Sequence, residues 1–314
     1  ESLIEVGEGD DFIVEVSTLI KRLAVDRLHV VGDIFDRGSR ADSVLELLEH
    51  HHSVDIEWGN HDILWMGAAS GSLVCCCAVV RNCLNYHNMD ILERGYGIPL
   101  RPLTLFAEKS YPELSPEAAA LHVITLLMFK LEGQLIQRNP DFDMDSRLLL
   151  DKIDWKQYTF TDDEGTWPLK KLPALHLQER DVYALSDDEM AVVQELAEAF
   201  RQSIRLQRQV SFLYDRGRLY RRYNQNLLFH GCVPMTMDGA FREVEIEGVK
   251  RSGRNLMDVL DAIARRAYFE GDTKAVDFMW YLWCAEYSPL CGRRIKTFQR
   301  YFTEDEAAWK EPRD

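Results

Sequence analysis

Two short blocks place hard-ligand side chains directly after glycines: Gly32-Asp33-Ile34-Phe35-Asp36-Arg37-Gly38 and Gly59-Asn60-His61-Asp62. Carboxylates, an amide oxygen and an imidazole are donors suited to divalent cations, and a guanidinium is a planar fork for phosphate. A third block, His230-Gly231-Cys232-Val233-Pro234, offers another imidazole at a strand-glycine junction. Taken singly, Asp33 and Asp36 read equally well as turn formers and His61 as a satisfied histidine at a helix start; the joint pattern is what points to a metal. The flanking elements give it a frame. An apolar run ending in His29-Val30-Val31 and a second around Val54-Asp55-Ile56 read as buried parallel strands. Each stops at a glycine, Gly32 or Gly59, where the backbone turns without a side chain in the way. Between them, Ser43 to Glu49 carries apolar residues at helical spacing. The result is a β-α-β unit, expected to be right-handed, with both loops at the carboxyl edge of the sheet.

The chain has 314 residues, 46% of them hydrophobic, enough for one large domain or a domain with an insertion. Its formal charge of −15 argues against a general nucleic-acid or anionic-membrane binder, so an anionic substrate must be drawn by a local cationic or metal site. No apolar run is read as membrane-spanning, and no signal-peptide pattern opens the chain. Seven cysteines, three of them adjacent at Cys75-Cys76-Cys77, make a poor disulfide framework. They fit a reducing cytoplasm, with the run packed as small apolar residues on a helix.

Taken in order, the chain opens on a helix that Asp10 or Asp11 can cap, with Phe12, Ile13, Val16, Leu19, Ile20 and Leu23 on its apolar face. After Asp62, the small apolar stretch Ile63 to Ser72 predicts a helix packed closely on the sheet. Asn85-Tyr86-His87-Asn88 and Arg94 to Pro99 read as loops. Residues 80–225 are expected to be a mainly helical insertion between a first core part, 1–79, and a second, 226–314. Within it, Ser115-Pro116 opens one helix that ends by Asn139-Pro140. The capping box Ser186 to Glu189 opens another, running past Leu196, Phe200, Ile204 and Val210 towards Gly217. Asp151 to Asp181 between them reads as irregular. Asn226 to Phe229 is expected to be a buried strand delivering His230. Phe241 to Gly248 alternates like an exposed strand, and Leu256, Val259, Leu260 and Ile263 mark a helix.

The two intact blocks resemble the calcineurin-like metallophosphoesterases, whose signatures are Gly-Asp-x-x-Asp-Arg-Gly and Gly-Asn-His-Asp/Glu. His230-Gly231-Cys232-Val233-Pro234 is similar to the His-Gly-Gly-x-x-Pro of the protein serine/threonine phosphatase branch, one residue shorter. Beyond these blocks the chain resembles class III fructose-1,6-bisphosphatases of Firmicutes over its whole length. The stretches that carry this are His29 to Gly38, Trp58 to Ala69, Gly95-Tyr96-Gly97-Ile98, Leu228 to Cys232 and Ser288-Pro289-Leu290. Ser39 stands where the family has proline, a small departure. The resemblance implies an α/β fold: a metallophosphoesterase-type β-sandwich flanked by helices, incomplete here, with a large helical insertion acting as a cap. It implies a manganese-dependent cytoplasmic enzyme that removes the 1-phosphate of fructose 1,6-bisphosphate in gluconeogenesis. The family's Asp-x-His block and its closing Gly-His block are absent from the sequence, and its chains are longer at both ends. The expectation is therefore an internal portion, inactive alone, with the two-metal Mn2+ site partly outside it.

Carried over by motif position, Asp33 bridges two metals, and Asn60 and His230 complete the second. His61 protonates the leaving alkoxide, Asp36 orients that imidazole and favours its protonated form, and Arg37 binds the phosphate. Two cations a few ångströms apart ionise a water near neutral pH and offset phosphate charge. Asp62 is expected behind the metal or at the helix start. A second phosphate needs a further anion site, for which Arg216, Arg218, Arg221 and Arg222, or Arg293, Arg294 and Lys296, are candidates. Such clusters are also commonly solvated faces. Expected partners are a small sugar bisphosphate and neither nucleic acid nor membrane; a homo-oligomer is compatible with the sequence. Two other readings stand beside this one: a phosphoesterase of different specificity, such as a phosphoprotein phosphatase, and a catalytically incomplete interaction module.

Overall fold

The β-α-β unit forms in the computed structural model, which describes residues 9–170, 177 and 181–310. Strand β1 (Leu28–Val30) pairs in parallel with β2 (Val54–Glu57), with Leu28 opposite Val54 and Val30 opposite Ile56. Helix α2 (Ala41–Glu49) is the crossover, burying Ala41, Leu45 and Leu48. A third parallel strand, β6 (Gly217–Arg218), flanks β2 on its other edge, giving the order β1-β2-β6. β2 is buried along its length, whereas β1, at the sheet edge, is only half-buried.

Helix α3 (Asn60–Ala69) starts straight from Gly59 and is buried from Asp62 onward, which its small and apolar composition permits. It packs on α4 (Leu73–Asn85) and on α10 (Thr273–Cys284). On α4, Cys75, Cys76 and Cys77 are buried as small core residues, while Cys232 and Cys291 are the two thiols with partial exposure. Burial pushes the helix thiols up, Cys75 to about 12. Helix α5 (Arg101–Ser110) and α6 (Pro116–Arg138) follow; α6 is capped by Ser115, whose Oγ accepts the amide of Ala118. Contrary to the expectation of no such run, α6 is long and apolar enough to cross a membrane, but 89% of its apolar window is buried against the rest of the protein. It is a core helix. Its fully buried Lys130 donates to both oxygens of Glu189, at 2.7 and 2.9 Å.

Four further sequence expectations differ from the structure. Asp151 to Asp181 is not wholly irregular: β3 (Ile153–Asp154), β4 (Thr159–Thr161) and β5 (Thr166–Pro168) form an antiparallel sheet, and 171–176 and 178–180 lie outside the described residues. The long helix from Ser186 is two helices, α7 (Asp187–Gln202) and α8 (Ile204–Arg216). Ser203 breaks it by leaving the helical region (ψ 98°), accepting the amide of Leu206 and donating to the carbonyl of Tyr96 at 2.6 Å. The strand before His230, β8 (Asn226–Phe229), is exposed to half-buried because it pairs only with β7 (Tyr220–Tyr223) as a separate hairpin. Asn224 and Gln225, both at positive φ, make its turn. Finally, helix α1 (Gly9–Ala24) forms as expected, but none of its residues is buried, and Leu23 is 78% exposed. The chain closes through β9 (Val244–Ile246), β10 (Val249–Arg251), α9 (Gly253–Phe269) and a short α11 (Thr297–Phe302). The buried apolar side chains of the sheet, of α3 to α8 and of α9 and α10 form one continuous core.

Candidate metal centre

Both signature loops leave the carboxyl ends of β1 and β2 and press against one another. Gly32 adopts φ +85°, and a Cβ there would lie 2.4 Å from the amide nitrogen of Gly59. A Cβ on Gly59 would lie 2.2 Å from Oδ1 of Asp33. Neither position has room for a side chain, so the two glycines are what let the loops meet. Asp33 and Arg37 are themselves held at φ 56° and 43°, a region that non-glycine residues enter at a cost and that clusters at ligand sites. Asp62 holds the loops in register: its buried carboxylate accepts the amides of Asp33 (2.8 Å), Phe35 (3.2 Å) and Gly59 (2.9 Å). Burial pushes that carboxyl up to about 6, against the pull of these amides. Asn88, on the turn after α4, braces the first loop from outside by donating to the carbonyl of Gly38 at 2.9 Å.

This scaffold gathers Asp33, Asp36 and His61 so that one ligand atom from each lies within 4.8 Å of the others. His230 joins from the β7–β8 hairpin, its Nε2 3.4 Å from Oδ2 of Asp33. Its Nδ1 donates to the carbonyl of Val31 at 2.6 Å, a bond that fixes the ring and turns Nε2 to the carboxylate. Asp33 Oδ1 meanwhile accepts the amide of His61 at 3.1 Å. Asn60 opens α3 beside them, and among the described residues its side chain makes no hydrogen bond. Of the expected site residues, Asp33, Asp36 and His61 are thus gathered together and His230 contacts Asp33, while Asn60 is placed only by its position at the start of α3.

The electrostatics couple these donors to one another. His230 is pushed up to about 9, first by its contact with Asp33 and then by the Val31 carbonyl, with burial opposing. Asp33 ends below its ordinary range; burial would raise it, and the contacts with His230 and with the His61 amide outweigh that. A proton on Nε2 and a cation between Nε2 and the carboxylate are alternatives for the same place, so this oxygen and nitrogen donor set suits a divalent ion. Asp36 Oδ1 is buried and lacks a well-aligned hydrogen bond, although His61 Nε2 stands 3.1 Å and Arg37 Nε 3.3 Å away. His61 itself is lowered: burial is the larger influence, and the Asp36 and Asp33 carboxylates only partly reverse it. Asp36 favours the imidazolium as anticipated, but desolvation wins.

Arg37 sits at the rim with its guanidinium 4.9 Å from the ring centre of Tyr86. Three further residues bear on the site without any sequence signal of their own. Trp283, at the end of α10, packs edge-on against the His61 ring at 4.9 Å. Asn88 belongs to a stretch legible only as a loop. Glu57, on β2, is fully buried with both oxygens lacking a hydrogen bond, its nearest cation being Arg221 at 3.9 Å.

Fold and site together define an α/β protein that carries a carboxylate–imidazole cluster able to hold a cation on paired strand ends. A family model described as Firmicute fructose-1,6-bisphosphatase matches residues 1–314, and the chain belongs to that family. It is 42% identical over its whole length to fructose-1,6-bisphosphatase class 3 of Clostridium botulinum strains Langeland and Okra. The identity to the class 3 protein of Clostridium novyi is also 42%. The chain spans about half the length of these curated relatives, 51% in each case. No solved structure matches it significantly.

Proposed function

We propose that the full-length protein hydrolyses fructose 1,6-bisphosphate to fructose 6-phosphate and phosphate, as a manganese-dependent cytoplasmic enzyme of gluconeogenesis. The observation that carries this is the convergence of Asp33, Asp36 and His61, with His230 set against Asp33, in a chain of this family. The β1-β2-β6 sheet and its loops would be part of a metallophosphoesterase-type sandwich, with the helices between residues 80 and 225 capping it.

Bound divalent metal supplies Lewis acidity and an ionised water near neutral pH. In this reading Asp33, Asn60 and His230 would hold it. Arg37 swings from the Tyr86 face to fork the phosphate oxygens. His61 Nε2 delivers a proton to the departing sugar oxygen, and Asp36 holds the ring for that transfer. The Asp36 and Asp33 carboxylates favour the protonated ring, against the effect of burial. Trp283 keeps the ring from turning away.

The test is phosphate release from fructose 1,6-bisphosphate with Mn2+, comparing residues 1–314 with a chain as long as the relatives. Activity in the longer chain alone supports the proposal and locates further ligands outside this segment. Activity in neither rejects the substrate assignment.

A further inference from the structure

A bisphosphate presents a second dianion that the cation centre does not contact, and the two arginine-rich stretches of the chain meet very different fates in the fold. Arg294 is held by Glu286 at 2.9 Å and by Asp163, and Lys296 by Glu164 at 2.6 Å. The roughly 510 Å3 cavity beside them is lined by nine acidic and four basic residues, which disfavours a dianion. The other stretch lines a cavity of about 360 Å3 with Arg218, Arg221, Arg222 and Arg265. Its carboxylates are already engaged. Asp258 accepts from Tyr220 Oη (2.7 Å) and Arg254, Asp261 from Arg265 (2.7 Å) and the amide of Leu219, and Asp215 pairs with Arg216. Arg221 is committed to Asp55 at 3.0 Å. Arg218 and Arg222, both exposed, form no ion pair with any described residue. Two guanidinium forks without an ion pair on one cavity wall, in a protein of net charge −15, have the chemistry to receive an anion.

The cavity is tied to both loops of the cation centre. Tyr220 on its wall pairs with Phe229, the residue before His230. The carbonyl of Arg218 accepts the amide of Trp58 at 2.9 Å, and Trp58 immediately precedes Gly59-Asn60-His61. Arg265 lies over the Trp58 ring at 5.2 Å.

We propose that this arginine pocket receives the phosphate of the substrate that is not cleaved, so that Arg218 and Arg222 select a sugar bisphosphate over a monophosphate; this deepens, and rests on, the function proposed above. The test uses the full-length protein and two readouts. The first is kcat/KM for fructose 1,6-bisphosphate relative to p-nitrophenyl phosphate, with Mn2+. This ratio is expected to fall at least about tenfold in R218Q/R222Q, the scale of losing charge-assisted contacts, and to recover in part in R218K/R222K. The second is calorimetric binding of fructose 6-phosphate, which carries only the distal phosphate, to metal-free protein. Affinity is expected to drop about tenfold or more in R218Q/R222Q. An unchanged ratio with unchanged binding overturns the pocket. Wild-type protein that fails to hydrolyse the bisphosphate rejects the function, yet the binding measurement still decides the pocket: arginine-dependent binding of fructose 6-phosphate supports it, and arginine-independent or absent binding overturns it. Should R218Q/R222Q misfold by circular dichroism, R222Q alone carries both readouts.

Discussion

Asp62 is not one of the three residues that converge, yet it determines whether Asp33, Asp36 and His61 do, because one carboxylate ties amides from both loops. Residues at the centre and residues behind it should therefore fail differently. In the full-length protein, His61→Ala is expected to lower kcat by 10² to 10⁴-fold with bound manganese unchanged, measured by turnover and metal analysis on one preparation. Equal turnover would remove the proton-donor role. Asp33→Asn should instead lower the bound manganese itself, and an unchanged metal content would undo its role as ligand. Glu57 gives a stability prediction. Burial first, and then the Asp55 charge, raise its carboxyl from 4.5 to about 7, with Arg221 opposing. A raised carboxyl takes up a proton on folding, so its contribution is fully present below about pH 4.5 and is lost as pH climbs through about 7. Glu57→Gln should flatten that slope and gain on the order of 1–3 kcal/mol at pH 8, read from urea midpoints across pH. An identical slope in the variant would show that Glu57 is compensated by groups other than Arg221. Asp33, Asp36, His61 and His230 were legible because their spacing is set by strand ends, a local property. Asp62 was readable too, as a residue behind the metal or at the helix start, but Trp283 and Glu57 were not, since what each does depends on atoms far away in sequence.

Elements whose ends carry their own chemistry were read well. Ser115-Pro116 opens α6 and the Ser186–Glu189 box opens α7 because a cap satisfies orphan amides regardless of context. The break at Ser203 escaped notice because the apolar spacing continues across it, and only the bond to Tyr96 makes the departure favourable. The β3–β5 sheet escaped for a similar reason: its strands are two or three residues long, too short for a period to register. The α7 cap has a second duty, since Glu189 accepts the Ser186 amide at 2.8 Å and also neutralises buried Lys130. Glu189→Gln keeps the cap but removes the carboxylate that both Lys130 bonds reach. It should destabilise the fold by about 3 kcal/mol, seen as a lower denaturant midpoint. A loss of only a few tenths would mean that the lysine finds water or other partners.

At the scale of the molecule, the α/β class followed from alternation of strand and helix signals around the glycine turns. How the helices pack did not, because a continuous core joins the sheet to α3 through α10 without a seam that composition could mark. Helix α1 is the exception to that core. Its apolar stripe, Ile13, Leu19, Ile20 and Leu23 among it, lies more than half exposed although its spacing is that of a buried face. A length about half that of the relatives and an uncovered helix both make the full-length chain the right object for every activity measurement above.

The unequal burial of the seven thiols has a practical use. Five are sealed in the core with their ionisation suppressed, and only Cys232 and Cys291 are partly open. A maleimide dye under native conditions should therefore label at most these two sites, counted by intact mass, with all seven reacting in urea. Cys232 lies two residues beyond His230, so with Cys291 replaced by serine the molecule carries its own fluorescent reporter beside the cation centre.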